Sequence, residues 1–334
     1  MADINVLMMG GRRAGKTSVL AAMDQCCNEL LATIPNLSVS CKDGGVNLTL
    51  KKNELEHYFT QRYMKNMMFT ADVNPSVTPD TYTYEVNVNN RDSGYTLNFM
   101  DFPGEWLFSA DKQDELQKMV DMSQIIIITI DTPHMVESID EATKVGKYHS
   151  EFNRVPEITR FFKNAFQKSK QERMVLFVPL KCEKYYYRNK MNIVSQTLKN
   201  GYSELLSFLA NDEIKELCTV GIVPILTIGG AEFMKFNDNG YAGIYSYVED
   251  LSLRKYNPKY CEQPLFFTLN YLIKMAERNK LQQGKISRWF KETFTNAAKL
   301  ADLIDCKETL EKLIETNPEM GFEIIQNPLG IEVK

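Results

Sequence analysis

The chain has 334 residues, 44% of them hydrophobic and 25% charged, with a formal net charge of -4. Those proportions are ordinary for a globular protein, and the length fits two average domains or one enlarged α/β domain with an appendage. The basic residues are dispersed, so nothing in the charge points to nucleic acid, and the longest aliphatic run, Ile125 to Ile130, is too short to span a bilayer. No signal peptide is expected ahead of the first strand, and seven cysteines without repeated spacing predict a reducing cytoplasm rather than a disulfide framework. The three histidines, His57, His134 and His149, make no metal-ligand pattern.

In chain order, Ile4 to Met9 is an apolar run that predicts a buried strand, and Lys16 to about Leu31 predicts a helix stopped by Pro35. Between them Gly10 to Thr17 reads G-G-R-R-A-G-K-T, a complete G-x-x-x-x-G-K-[ST] phosphate-binding loop in the strand–loop–helix setting that gives the pattern its meaning. Backbone N–H groups from Gly10, Arg12, Arg13, Ala14 and Gly15 to Ser18, with the positive end of the helix, would surround the α- and β-phosphates. Lys16 would place its ammonium between the β- and γ-phosphates, and the Thr17 hydroxyl would coordinate Mg²⁺. The pattern implies a nucleoside triphosphate.

Residues 33–70 read as an insertion. Leu37 to Cys41 and Val46 to Leu50 alternate around Asp43-Gly-Gly45, which predicts a hairpin, and Leu55, Tyr58, Phe59, Arg62 and Tyr63 recur at helical spacing. Asn74 to Pro79 is turn chemistry. Tyr82, Tyr84, Val86 and Val88 alternate with polar residues and predict a half-buried edge strand; Tyr95 to Met100 returns antiparallel to it. Ile125 to Ile130, Met174 to Leu180 and Val220 to Leu226 predict buried central strands, with one amphipathic helix from about Asn192 to Glu216. Helices are expected from Pro264, over Ile286 to Leu300 with Trp289, Phe290 and Phe294 on one face, and over Lys307 to Thr316. The βα alternation predicts a doubly wound α/β sheet.

Asp101-Phe-Pro-Gly104 closes the strand returning from the hairpin. There the Asp101 carboxylate would reach Mg²⁺ through water, while the Gly104 N–H would bond the γ-phosphate and release it after hydrolysis. With these motifs in this order, about Ile4 to Lys280 resembles the translation-factor-related (TRAFAC) class of GTPases. More narrowly, Asp101-Phe-Pro-Gly-Glu105, Val178-Pro-Leu-Lys-Cys-Glu183 and Cys261-Glu-Gln-Pro264 resemble the bacterial double-GTPase (DO-GTPase) type.

The resemblance implies a Ras-like phosphate-loop fold: a mostly parallel six-stranded sheet with one antiparallel edge strand, helices on both faces, and a C-terminal helical extension. It divides the chain into a GTPase domain, 1–280, and the extension, 281–334. It implies a Mg²⁺-binding switch threonine, first Thr78, then Thr70 or Thr81. Leu180-Lys181-Cys182-Glu183 stands where such proteins carry Asn/Thr-Lys-x-Asp. Lys181 would lay its stem over the purine, Glu183 would accept from the guanine N1–H and N2–H, and Thr227-Ile228 would offer N–H groups to O6. The longer Glu183 and the apolar Leu180 depart from the usual pattern, which leaves GTP and ATP both open. Glu105, following Gly104, would orient the attacking water, with Arg12 or Arg13 as counter-charge. Asp131 is an alternative metal-side acid. The expected function is a cytoplasmic GTP-binding switch with slow Mg²⁺-dependent hydrolysis and a protein partner; the alternative is an ATP-dependent phosphotransferase.

Overall fold

A computed structural model describes residues 2–31, 37–64, 68–70, 78–88, 91–238, 242–250, 256–281, 304 and 306–331. The strands are β1 (Ala2–Met9), β2 (Leu37–Asp43), β3 (Phe69–Thr70), β4 (Asp80–Val88), β5 (Arg91–Asp101), β6 (Ile125–Asp131), β7 (Arg173–Leu180), β8 (Cys218–Ile222), β9 (Ala231–Phe236), β10 (Gly243–Tyr247) and β11 (Glu323–Gln326). The main sheet runs β11-β8-β7-β6-β1-β5-β4-β2. From β8 to β5 all neighbours are parallel; β4 and β2 on one side and β11 on the other are antiparallel. A second sheet has the order β3-β10-β9.

The central strands are wholly buried because both faces are covered. Alternate side chains divide between the faces, as the strand period requires. Val6, Ile127 and Leu176 join α1 (Lys16–Leu31) and α10 (Gln263–Leu281) in one core, while Leu7, Ile128 and Phe177 join a second core on the opposite face. Helix α6 (Val155–Lys168) shows how the second face closes: Ile158, Phe161, Phe162, Ala165 and Phe166 fall on one helical stripe and are all buried. Arg173 at the start of β7 is fully buried, and its guanidinium donates to the carbonyls of Val120, Asp121 and Ser123, which end α3 (Gln113–Met122). It caps a helix C-terminus with a cation, where the helix dipole favours one.

Several sequence expectations change. The sheet has eight strands rather than six. The expected hairpin over 37–50 does not form: β2 pairs instead with β4, and Gly45–Met64 is one helix, α2. Val46 and Leu50 are exposed, whereas Leu48, Leu55 and Phe59 are buried at helical intervals. Consequently β4 is not the edge. Its alternation reports one open face, carrying Thr83 and Glu85, and says nothing about its neighbours in the sheet. The helix expected over 192–216 is two, α8 (Met191–Gly201) and α9 (Ser203–Leu209), and the strand expected over 220–226 spans Cys218–Ile222. The C-terminal segment holds α11 (Lys307–Leu313) but ends in β11, which extends the main sheet. The expected helix over 286–300, with Trp289, Phe290 and Phe294, lies outside the described residues. Among the described residues no helix is long and apolar enough to cross a membrane.

Candidate functional site

β1 ends at Met9 and α1 begins at Lys16, so the phosphate loop leaves the centre of the sheet at its carboxyl edge. Gly15 at φ +107° and Arg13 at φ +61° curl the loop, and Val19 N–H returns to the Gly15 carbonyl at 2.9 Å to open the helix. Lys16 is 7% exposed. Its ammonium donates to the Gly10 carbonyl at 3.2 Å and stands 5.6 Å from the Phe102 ring centre. Burial lowers its pKa, against the pull of Asp101 and Glu105.

Asp101 is the last residue of β5. Thr17 Oγ1 donates to its Oδ2 at 2.6 Å, while Oδ1 is buried without a hydrogen-bond partner. Burial raises the Asp101 pKa, although Lys16 and the Thr17 hydroxyl act in the opposite sense. A hydroxyl and a carboxylate with a spare oxygen are the hard donors Mg²⁺ prefers. Among the described residues there is no cluster of three or more His, Cys, Asp or Glu able to hold an ion alone. Thr78 stands exposed ahead of β4 and does not line the cavity; Thr81 is also exposed, and Thr70 lines a different cavity.

Gly104 lies directly on the loop: a Cβ there would meet Arg12 N at 2.3 Å and Gly11 C at 2.5 Å. The next residue, Glu105, pairs with Arg12 at 2.8 Å on the half-exposed rim. The structure thus gathers Arg12 to Ser18, Asp101, Gly104, Glu105, Lys181, Thr227 and Ile228 around one cavity of about 90 Å³. Gly10 contributes through its carbonyl.

Lys181, at φ +60°, reaches back to the Arg13 carbonyl at 3.3 Å and to Asp131 Oδ2 at 2.5 Å. Asp131 also meets His134 Nδ1 at 2.8 Å through Oδ1. Burial pushes its carboxyl up, but Lys181 and then His134 outweigh that and hold it far below the usual carboxylate range. Asp131 therefore anchors Lys181 rather than serving beside Asp101. Glu183 stands behind the cavity wall. Its carboxylate is 1% exposed, accepts from Ile228 N–H at 2.7 Å and Gly229 N–H at 3.1 Å, and does not line the cavity. Burial raises its pKa against those two donors.

Sequence reasoning missed Lys51, Leu55 and Phe59 of α2, which line the same cavity. The spacing of Leu55 and Phe59 was visible, but nothing local told which element they would face. A neighbouring cavity of about 340 Å³ shares Arg12, Arg13, Glu105 and Lys181 with the first and adds Asp131 and His134. His134 packs between Phe152 and Phe236, and its Nε2 is buried without a hydrogen-bond partner.

Fold and site together define a phosphate-loop α/β protein with a large, mostly parallel sheet. No protein-family model matches the chain, and no curated protein matches it. Among solved structures it is similar to the S. cerevisiae Ski7 GTPase-like domain bound to GTP, at 14% identity and a TM-score of 0.39, over 68% of this chain and 43% of that one. The same domain bound to GDP and inorganic phosphate gives 16% identity and a TM-score of 0.40, over 85% and 51% of the two chains. The cytosolic domain of the T. maritima FeoB iron transporter in apo form gives 13% identity and 0.24, over 93% and 98%. The chain thus spans about half the length of the two Ski7 chains. These likenesses are distant, and the chemistry of the site rests on its own residues.

Proposed function

We propose that this chain is a nucleotide-dependent switch that binds a nucleoside triphosphate, GTP by the order of its motifs, and hydrolyses it slowly to change the surface it offers a partner protein in the cytoplasm. The observation that carries this reading is the meeting of Lys16, Thr17 and Asp101 under a phosphate loop on which Gly104 is packed. Thr17 and Asp101 would hold Mg²⁺, which supplies neutralisation of phosphate charge when bound. Lys16, already desolvated, gives its ammonium to the β- and γ-phosphates, and the loop N–H groups hold them in place. Gly104 packs so closely on the loop that a Cβ there would meet its backbone, so γ-phosphate contact and release would act there first. Glu105 orients water or takes its proton, and Arg12 offsets the carboxylate charge beside the phosphate.

The test is titration of the full chain with a fluorescent GTP analogue, with and without Mg²⁺, alongside Lys16→Ala. Binding should require Mg²⁺ and weaken about a hundredfold in the variant, the order of loss for a desolvated charge pair. Folded protein that takes up no purine triphosphate in Mg²⁺ refutes the reading. A second reading, phosphoryl transfer to an acceptor, is favoured by the 340 Å³ cavity beside the loop with its Asp131–His134 pair. It requires that nucleotide turnover exceed free phosphate released.

A further inference from the structure

We infer that the cavity of about 340 Å³ beside the phosphate loop is a second binding site, for a small phosphate monoester with an aromatic or apolar body. This goes beyond the nucleotide-binding reading and does not depend on it. Among the described residues the lining sets four cations, Arg12, Arg13, Arg154 and Lys181, against three carboxylates, Glu105, Asp131 and Glu151. Two of those carboxylates are already engaged. Asp131 gives Oδ2 to Lys181 and Oδ1 to His134, and Glu105 pairs with Arg12 at 2.8 Å. Arg154 meets Glu157, which does not line the cavity, at 3.5 Å, a loose contact that leaves guanidinium N–H groups for another oxygen. The planar fork of a guanidinium matches two oxygens of a phosphate.

Aromatic rings stand beside these cations. The Arg154 guanidinium lies 4.3 Å from the centre of the Phe108 ring, and Phe108 is itself half exposed. Phe152 belongs to the helical turn His149–Asn153, which rests on the phosphate loop: a Cβ on Gly11 would meet the Phe152 carbonyl oxygen at 1.9 Å. Tyr245 brings in a third apolar cluster, separate from the two cores of the main sheet, which also holds Phe59, Phe69 and Phe233. There the Tyr247 hydroxyl donates to the Phe59 carbonyl and ties β10 to α2. A ligand with an anionic head and an apolar body finds a surface for each.

His134 is an independent sign of a ligand. It is 5% exposed and lines the cavity, with its ring 4.0 Å from that of Phe152 and 4.7 Å from that of Phe236. The Asp131 carboxylate can only accept, so Nδ1 carries a proton, and Nε2 is left buried without a hydrogen-bond partner. Such atoms are uncommon in folded proteins, and each calls for a partner. A phosphate monoester supplies one in either ionisation state, since its second proton leaves at about pH 6. Its P–OH donates to a neutral Nε2, and its dianion accepts from a protonated one. Near neutral pH a carboxylate or a sulfate offers only the second.

The test is calorimetric titration of the full chain with phenyl phosphate, in the parent and in Lys16→Ala, Arg154→Gln and Phe108→Ala. Phenyl phosphate should bind the parent with a Kd below about 1 mM, and Lys16→Ala within about twofold of that. Arg154→Gln removes a charge-assisted hydrogen bond and should weaken binding about tenfold or more. Phe108→Ala, at a half-exposed position that the fold tolerates, should weaken it by about threefold or more through the lost ring contact. Binding that is lost in Lys16→Ala and kept in Arg154→Gln places the anion in the phosphate loop and overturns the inference. Absence of binding to the parent overturns it too, as does unchanged binding in Phe108→Ala, the arm that decides if Arg154→Gln melts early. A GTP analogue titrated into the same samples reports on the nucleotide reading separately: its failure removes that reading and leaves this one to the phenyl phosphate result.

Discussion

Gly104→Ala puts the contact between the switch segment and the phosphate loop to a direct test. The added Cβ would lie 2.3 Å from Arg12 N, 2.5 Å from Gly11 C and 2.7 Å from Arg12 Cα, where ordinary contact begins near 3.4 Å. All three are backbone atoms, so no side chain can rotate aside. The segment beginning at Gly104 must retreat by roughly 1 Å, or the loop must. Overpacking of this kind costs about 1–3 kcal/mol, which converts to a shift of roughly 5- to 150-fold in the equilibrium between closed and retreated segments. On the proposed reading only the γ-phosphate needs the closed arrangement. Calorimetric titration should therefore show a non-hydrolysable GTP analogue losing at least about fivefold in affinity, with GDP within about threefold of the parent. Unchanged affinity for the triphosphate analogue would falsify the reasoning. An equal loss for both nucleotides would also defeat it, by locating the damage in the loop itself.

Removing the guanidinium at the rim in Arg12→Ala should slow single-turnover hydrolysis by about tenfold or more, since a cis arginine offsets charge in the transition state. The melting temperature should barely move, because exposed ion pairs such as Arg12–Glu105 add little stability; a parental rate ends this role. His149 supplies a pH dependence. Burial holds its pKa down at about 4 against an ordinary 6.5, so the unfolded chain takes up this proton over that interval and the folded chain does not. Its contribution is complete above pH 6.5 and drains as pH falls toward 4, by up to ~3 kcal/mol. Urea midpoints measured across that range should fall less steeply in His149→Gln than in the parent; identical slopes would assign the effect elsewhere.

What the sequence made legible was chemistry carried by contiguous residues. Gly10 to Thr17 and Asp101 to Gly104 state their spacing directly, and the apolar run Ile125 to Ile130 needs two covering faces wherever it lies. Partnership between distant residues was not legible. Val46 to Leu50 has an alternation that a strand or one helical turn could use, and only burial of Leu48 beneath a sheet distinguishes them. Glu183 carries the right charge at the right position, yet its carboxylate turns to a loop 45 residues away. The four residues of β11 are too few and too mixed to announce a strand, and they pair because β8 offers an open edge.

The third apolar cluster ties this pocket to the order in which the polypeptide matures. Phe59 depends on Phe69 beside it but also on Tyr247, 188 residues further along the chain. An emerging chain can complete the phosphate loop and its first helix early, while the Phe59 part of the cavity lining awaits everything through β10. If the cavity takes a nucleotide, as proposed, capture belongs to the end of biogenesis, since a ribosome-bound fragment stopping before Gly243 carries the phosphate loop without the completed Phe59 cluster.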